Sequence, residues 1–156
     1  DLETEKKSHF INLIAESAGD AKEKITDIVW SITPENDNWE LLLAKCRRYA
    51  SDLLESKEIS YDLDIANNID GKLDMNVRQH IWMIYKELIT NVVRHAQATH
   101  VKVQITKKGN EIKVSVSDNG NGLKNIKRRS DKLKATLTLV SSSTDGTSCA
   151  LMIPFS

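Results

Sequence analysis

Apolar residues recur at steps of three and four from the start of the chain. Ile11, Ile14, Ala18, Ala21, Ile25, Ile28 and Ile32 make an unbroken seam, which reads as a heptad repeat sustained over three heptads. The spacing predicts one long helix over 4–33, about 45 Å from end to end. Thr33-Pro34 ends it, because the residue before a proline is pushed out of the helical region. A helix of that length needs packing, since most helical stability comes from a covered apolar face. The seam therefore predicts a dimerising helix that self-associates as a bundle; the alternative is a helix lying on its own domain. Gly19 weakens the middle by roughly 1 kcal/mol relative to Ala.

A second helical stripe follows: Trp39, Leu42, Leu43, Cys46, Ala50, Leu53 and Leu54. Asp37, with Glu40 three residues on, is expected to open it as a capping box. The period then changes from 3.6 to 2. Ile59, Tyr61, Leu63 and Ile65 alternate with polar residues and predict a half-buried strand. Residues 67–72 read as a turn, and Asp74 or Asn76 is placed to cap a third helix. Alternation returns at Val101, Val103 and Ile105 and at Ile112, Val114 and Val116, with Lys108-Gly109-Asn110 as the hairpin turn. A short basic helix over 123–133 comes next. Two more strands follow, one starting at Leu137 and Leu139 and the last over 149–153, joined by Thr144-Asp145-Gly146. The order predicts an α+β fold: a two-layer α/β sandwich with a mixed sheet covered by helices.

Composition bounds the function. At 156 residues, the chain holds one ordinary domain, or one small domain plus an appendage. Lys+Arg and Asp+Glu number 22 each, so the formal charge is zero. That argues against a dominant nucleic-acid surface, although Lys124, Lys127, Arg128 and Arg129 make a local basic patch. Cys46 and Cys149 are isolated, which excludes a metal-type cysteine spacing and favours a reduced, cytoplasmic setting. No apolar run approaches the roughly 20 residues that span a bilayer. The chain starts inside a helix without Met and reads as a fragment.

Candidate chemistry concentrates in Lys86-Glu87-Leu88-Ile89-Thr90-Asn91-Val92-Val93-Arg94-His95-Ala96. Without Gly or Pro, it reads as helix throughout. Glu87 and Asn91 stack one turn apart, and Arg94 and His95 come two turns on, expected on the same side. Leu88, Val92, Ile84 and Ile81 are free to face a core. Downstream, Ser117-Asp118-Asn119-Gly120-Asn121-Gly122 closes a strand with an acid and two glycines, a composition suited to tight backbone around a ligand.

These residues carry a resemblance. Glu87-x3-Asn91-x2-Arg94-His95-Ala96 resembles the N-box of histidine-kinase ATPase domains. Asp118-Asn119-Gly120-x-Gly122 is similar to their adenine-binding D-box, and residues 122–129 are similar to the glycine motif that closes the nucleotide lid. Residues 27–34 resemble the end of the second dimerisation helix. The likeness is strongest to two-component sensor kinases paired with helix-turn-helix response regulators. It implies the Bergerat-type ATPase fold, with 1–34 as an incomplete dimerisation domain and 35–156 as the ATP-binding catalytic domain.

By that resemblance, Asn91 is the Mg²⁺ ligand, suited to it as a hard oxygen donor. Glu87 is the catalytic residue, holding a metal-bound water or taking a proton from the attacking imidazole. Arg94 neutralises phosphate charge. His95 is either a phosphate contact or a buried structural histidine. Asp118 accepts from the adenine amino group, and Thr147 supports it. Gly120, Gly122 and Leu123 complete the nucleotide contacts. The implied cofactors are ATP and Mg²⁺. The implied partners are a second copy of the chain and a response-regulator receiver domain, with no direct nucleic acid; any membrane contact comes through upstream regions.

Two departures qualify the likeness. No phosphoacceptor motif is present, since His9 is followed by Phe10 and lies in the wrong helix. Relatives also place a lid between D-box and glycine motif, whereas here Asn121 alone separates Gly120 from Gly122. Either the lid is absent, or its residues are missing and the flanks are joined; the second reading is favoured. Two other functions fit the pattern. One is a degenerate dimerisation and signalling module, and the other is a serine kinase of the anti-sigma-factor type, against which the long heptad helix argues.

Overall fold

The computed structural model describes residues 2–120, 136–142 and 146–154. The chain divides into two units, Asp1–Asn36 and Asp37–Ser156. The first is helix α1, Leu2–Ile32, followed by a tight 3-10 turn, Pro34–Asn36. The end of α1 satisfies its carbonyls locally, as helix termini require. Thr33 Oγ1 donates to the Val29 carbonyl at 2.6 Å, and Asn36 Nδ2 donates to that of Trp30 at 2.8 Å. The apolar seam faces solvent, with Ile11, Ile14 and Ile25 each more than 60% exposed.

The second unit opens with α2, Trp39–Glu55. Its cap is Asn38, not the expected Asp37: the Asn38 side chain accepts from Glu40 N and Leu41 N. Asp37 is engaged elsewhere. Its carboxylate accepts a hydrogen bond from Arg78 Nη1, and Arg78 is fully buried. A buried guanidinium demands a countercharge more strongly than a helix end demands a cap. Trp39, Leu42, Leu43, Cys46, Ala50 and Leu54 are buried as the stripe predicts, while Leu53 is half-buried.

Strand β1 is Ser60–Ile65 and helix α3 is Met75–Asn91, capped by Asp74, whose side chain accepts from Asn76 N at 2.8 Å. Four more strands follow: β2 His100–Lys108, β3 Glu111–Asp118, β4 Thr136–Ser142 and β5 Gly146–Pro154. They form one sheet in the order β1-β2-β3-β5-β4. Among the described strands only β1 and β2 pair in parallel, Ser60 opposite His100 and Ile65 opposite Ile105. Parallel neighbours need a crossover, and α3 supplies it. The predicted basic helix over 123–133 lies outside the described residues.

Alternation in β2 and β3 sends Val101, Val103, Ile105, Ile112, Val114 and Val116 into the core. Helices α2 and α3 meet there as well: the Tyr85 hydroxyl donates to the Cys46 carbonyl at 2.7 Å. Burial pushes both the Cys46 thiol and the Tyr85 phenol well above their ordinary ranges. The other sheet face is polar. Gln104 Nε2 donates to Asp64 at 2.9 Å, and His100 bridges Ser60 and Asp62 at 2.9 and 3.1 Å. The functional elements therefore lie at one end of this sandwich, where α3 ends and β3 ends.

Candidate functional site

The last turn of α3 is held from α2. The Tyr49 hydroxyl and Thr90 Oγ1 lie 3.0 Å apart. Tyr49 stands edge-on to Trp82 at 5.4 Å, and the Lys45 ammonium lies 4.5 Å from the Trp82 ring centroid; aromatic and cation–π contacts of this geometry fix orientation as well as add energy. Against that support, Glu87 and Asn91 take the stacked arrangement expected for positions four apart. Asn91 Nδ2 donates to Glu87 Oε1 at 3.5 Å, both half-buried. A bond that engages Nδ2 directs the carboxamide oxygen away from Glu87.

Beyond Asn91 the expectation fails. The α-helix does not run through Ala96; residues Val92–Ala96 form a π-helical turn. Each residue of such a turn advances about 80° rather than the 100° of an α-helix. At that advance, position 95 falls nearer the Glu87–Asn91 stripe than in an ideal α-helix, and position 94 falls farther from it. Both are exposed, so the reading of His95 as a buried structural residue is overturned. Val92 and Ala96 are buried. Wide turns of this kind recur at functional sites. The turn ends at Gln97 in the left-handed region (φ 52°), a conformation uncommon outside glycine.

Asp118 ends β3, opposite Val101 of β2 and Thr147 of β5. It is buried, and its Oδ1 accepts from Gly120 N at 2.8 Å, a turn in which the acid's own side chain replaces a backbone acceptor. Gly120 is required here for a reason the sequence does not display. A Cβ at this position would lie 1.9 Å from the Ala96 carbonyl oxygen and 2.9 Å from Ala98 N. The acid-bearing turn thus packs directly on the end of the π-helical turn, joining the two motifs through backbone. The expected closeness of Gly120 to a ligand is matched by closeness to the chain itself. Gly122 and Leu123 lie outside the described residues. Thr147 is placed by register beside Asp118.

Asn119 carries more than its place in a motif suggests. Its Oδ1 accepts from Thr99 N and His100 N, both at 3.0 Å, and its Nδ2 donates to Thr99 Oγ1 at 2.9 Å. An Asn between an acid and a glycine at a strand end is a turn signal, but only the structure names its partners. The assembled groups are a buried carboxylate able to accept from an amino group, a carboxamide oxygen of the kind that binds hard cations, and a neighbouring carboxylate able to take a proton. Among the described residues no group of three His, Cys, Asp or Glu could hold a metal. No helix among them is long and apolar enough to cross a membrane.

Comparison with known proteins gives three kinds of match. Residues 76–153 match the family of histidine kinase-, DNA gyrase B-, and HSP90-like ATPases. Among curated sequences, the chain is 28% identical to the sensor histidine kinase YxjM of Bacillus subtilis over 109 residues, covering 64% of this chain and 27% of that protein. It is 22% identical to the sensor histidine kinase LiaS of the same species, covering 92% of this chain and 42% of that protein. The chain therefore spans well under half the length of these relatives. Among solved structures, the histidine kinase AdeS of Acinetobacter baumannii superposes with a TM-score of 0.63 at 15% identity, over 93% of this chain and 83% of that one. At that identity the likeness speaks for the fold alone.

Proposed function

Because the chain belongs to the histidine kinase-, DNA gyrase B-, and HSP90-like ATPase family, we propose that it is the ATP-binding catalytic domain of a sensor histidine kinase. The whole protein would pass the ATP γ-phosphoryl group to a histidine and then to a response-regulator aspartate. The observation that carries the reading is the contact of Gly120 with Ala96. It joins a buried acid suited to adenine to the helix end that bears Glu87 and Asn91. Base recognition and phosphate chemistry then occupy adjoining ground.

Asp118 accepts from the adenine amino group; guanine presents a carbonyl at that position and is repelled by the carboxylate. The Asn91 carboxamide oxygen is the donor for Mg²⁺, which favours few protein ligands and retains waters and phosphate oxygens. When bound, the ion neutralises phosphate charge. Glu87 holds a water or takes the proton of the incoming imidazole, within hydrogen-bond reach of Asn91. His95, at a position the π-helical turn brings nearer that stripe, meets phosphate, and Arg94 adds charge from the rim. Gly122, Leu123 and Thr147 complete the nucleotide contacts. Catalysis of this kind is mostly positioning and electrostatics. Residues 1–34 serve as a dimerisation helix joining two copies, and a receiver domain accepts the phosphoryl group. The domain works on the cytoplasmic side of a sensor.

Calorimetric titration of ATP tests the reading. We expect binding that requires Mg²⁺, that weakens about tenfold or more in Asn91→Ala when Mg²⁺ is present, a loss of about 1.4 kcal/mol or more, and that prefers ATP to GTP. With EDTA, wild type and Asn91→Ala should both lose binding, and the difference between them should vanish. A folded sample that binds no adenine nucleotide overturns the proposal.

A further inference from the structure

The ladder between β2 and β3 ends at the pair Val101–Asp118. Beyond it, one side chain takes over. Asn119 Oδ1 accepts from Thr99 N and His100 N, Asn119 Nδ2 donates to Thr99 Oγ1, and the Asn119 backbone N–H donates to the His100 carbonyl at 3.3 Å. The Thr99 carbonyl in turn accepts from Ser60 N at 3.0 Å and Ser60 Oγ at 2.8 Å. The chain of bonds runs from the edge strand β1, through β2, to the turn that carries Asp118.

On one side of Asn119 stands Asp118, whose carboxylate direction is set by its bond to Gly120 N. On the other stands Gly120, where a Cβ would collide with Ala96 and Ala98. A carboxylate that selects one base over another must be held to within fractions of an ångström. The β2–β3 register ends at Asp118, so the turn beyond it is tied to β2 chiefly through the Asn119 side chain. We infer that Asn119 is a positioning residue for base selection: its amide replaces the next rung of the ladder and holds Asp118 at the angle that distinguishes adenine from guanine.

This inference rests on the proposed nucleotide site and is separable from it. The test measures ATP and GTP affinities, with thermal stability alongside, for the wild type, Asn119→Ala, Asn119→Asp and Thr99→Val. Asn119→Ala should lower the ATP-to-GTP affinity ratio by about tenfold, in line with the loss of the three side-chain hydrogen bonds that fix one group. Asn119→Asp keeps the acceptor for both backbone N–H groups, and its second carboxylate oxygen accepts from the Thr99 hydroxyl in place of the lost Nδ2 donor. Its added charge weakens both nucleotides alike, so the ratio should stay near wild type. A purely structural role would lower stability without moving the ratio.

An unchanged ratio in Asn119→Ala overturns the inference while leaving the nucleotide site standing; a wild type that binds neither nucleotide overturns both. Should Asn119→Ala not fold, Thr99→Val decides, since it removes only the Nδ2 partner. A reduced ratio there supports the inference, and an unaltered one sinks it.

Discussion

Helices α1 and α3 are both rich in apolar residues at helical spacing, yet they end up in opposite conditions. The α1 seam is open to solvent, with Ile14 at 67% exposure, whereas Ile81, Trp82, Tyr85, Leu88 and Ile89 of α3 are all buried. The apolar residues themselves do not account for the difference. Within its unit α3 is the crossover between two parallel strands and must lie on the sheet, so its stripe is covered by construction. Helix α1 is followed by a proline turn and carries no such obligation in its own unit. Periodicity identifies which face of a helix seeks cover; connectivity decides whether the chain itself supplies it.

The sharpest way to break α3 out of its setting is at Arg78. Asp37→Ala removes the carboxylate that faces the fully buried Arg78 guanidinium and should destabilise the second unit by about 3–5 kcal/mol in urea unfolding. Replacing the pair together by Arg78→Met with Asp37→Leu should recover most of that loss, because no buried guanidinium then remains to be balanced. A single variant within about 0.5 kcal/mol of wild type would show that the anchor is dispensable.

A smaller effect comes from the α2–α3 contact at Cys46 and Tyr85. Burial raises the Cys46 thiol above its ordinary value of 9.0, so the folded chain keeps a proton that the unfolded chain releases. Stability is therefore intact below about pH 8.5 and falls as pH rises. The slope should be about 1.4 kcal/mol per pH unit once the thiol ionises in the unfolded state. Tyr85, raised from 10.0 by burial, steepens the decline above pH 10. In urea titrations from pH 7 to 10, Cys46→Ala should flatten the first part of this limb. An equally steep limb in that variant would assign it to other groups.

The smallest effect on folding belongs to α1. Ile25→Ser lies on an exposed face and should change unfolding of the second unit by less than about 0.5 kcal/mol. Its consequence is expected in association instead: sedimentation should show a dimer weakened relative to wild type. A monomeric wild type would break the comparison, because the seam would then lack a second copy to cover it.

Much of the fold was legible from residue pattern. The alternation at Val101–Ile105 and Ile112–Val116, the hairpin at Gly109 (φ 60°) and the cap at Asp74 all rest on interactions within a few residues, and such interactions are written in local sequence. The stacked Glu87–Asn91 pair was legible for the same reason, since helical spacing alone brings positions four apart together. The departures came where distant segments compete for one group. Asp37 gave up the capping role to a guanidinium 41 residues away, and Asn38 took it. The helix expected through Ala96 widened into a π-helical turn, which nothing in its residue types announces.

By itself, then, the sequence determined the helices and strands among the described residues, their order and the family they resemble, because each depends on local propensity, period and spacing. Tertiary structure alone decided the rest. It widened the helix end into a π-helical turn over Val92–Ala96 and packed Gly120 on Ala96 where no Cβ fits. It also set Asn119 across the end of β2. These outcomes depend on backbone groups far apart in the chain meeting within hydrogen-bond or van der Waals distance, and side-chain identity does not encode a meeting of backbones.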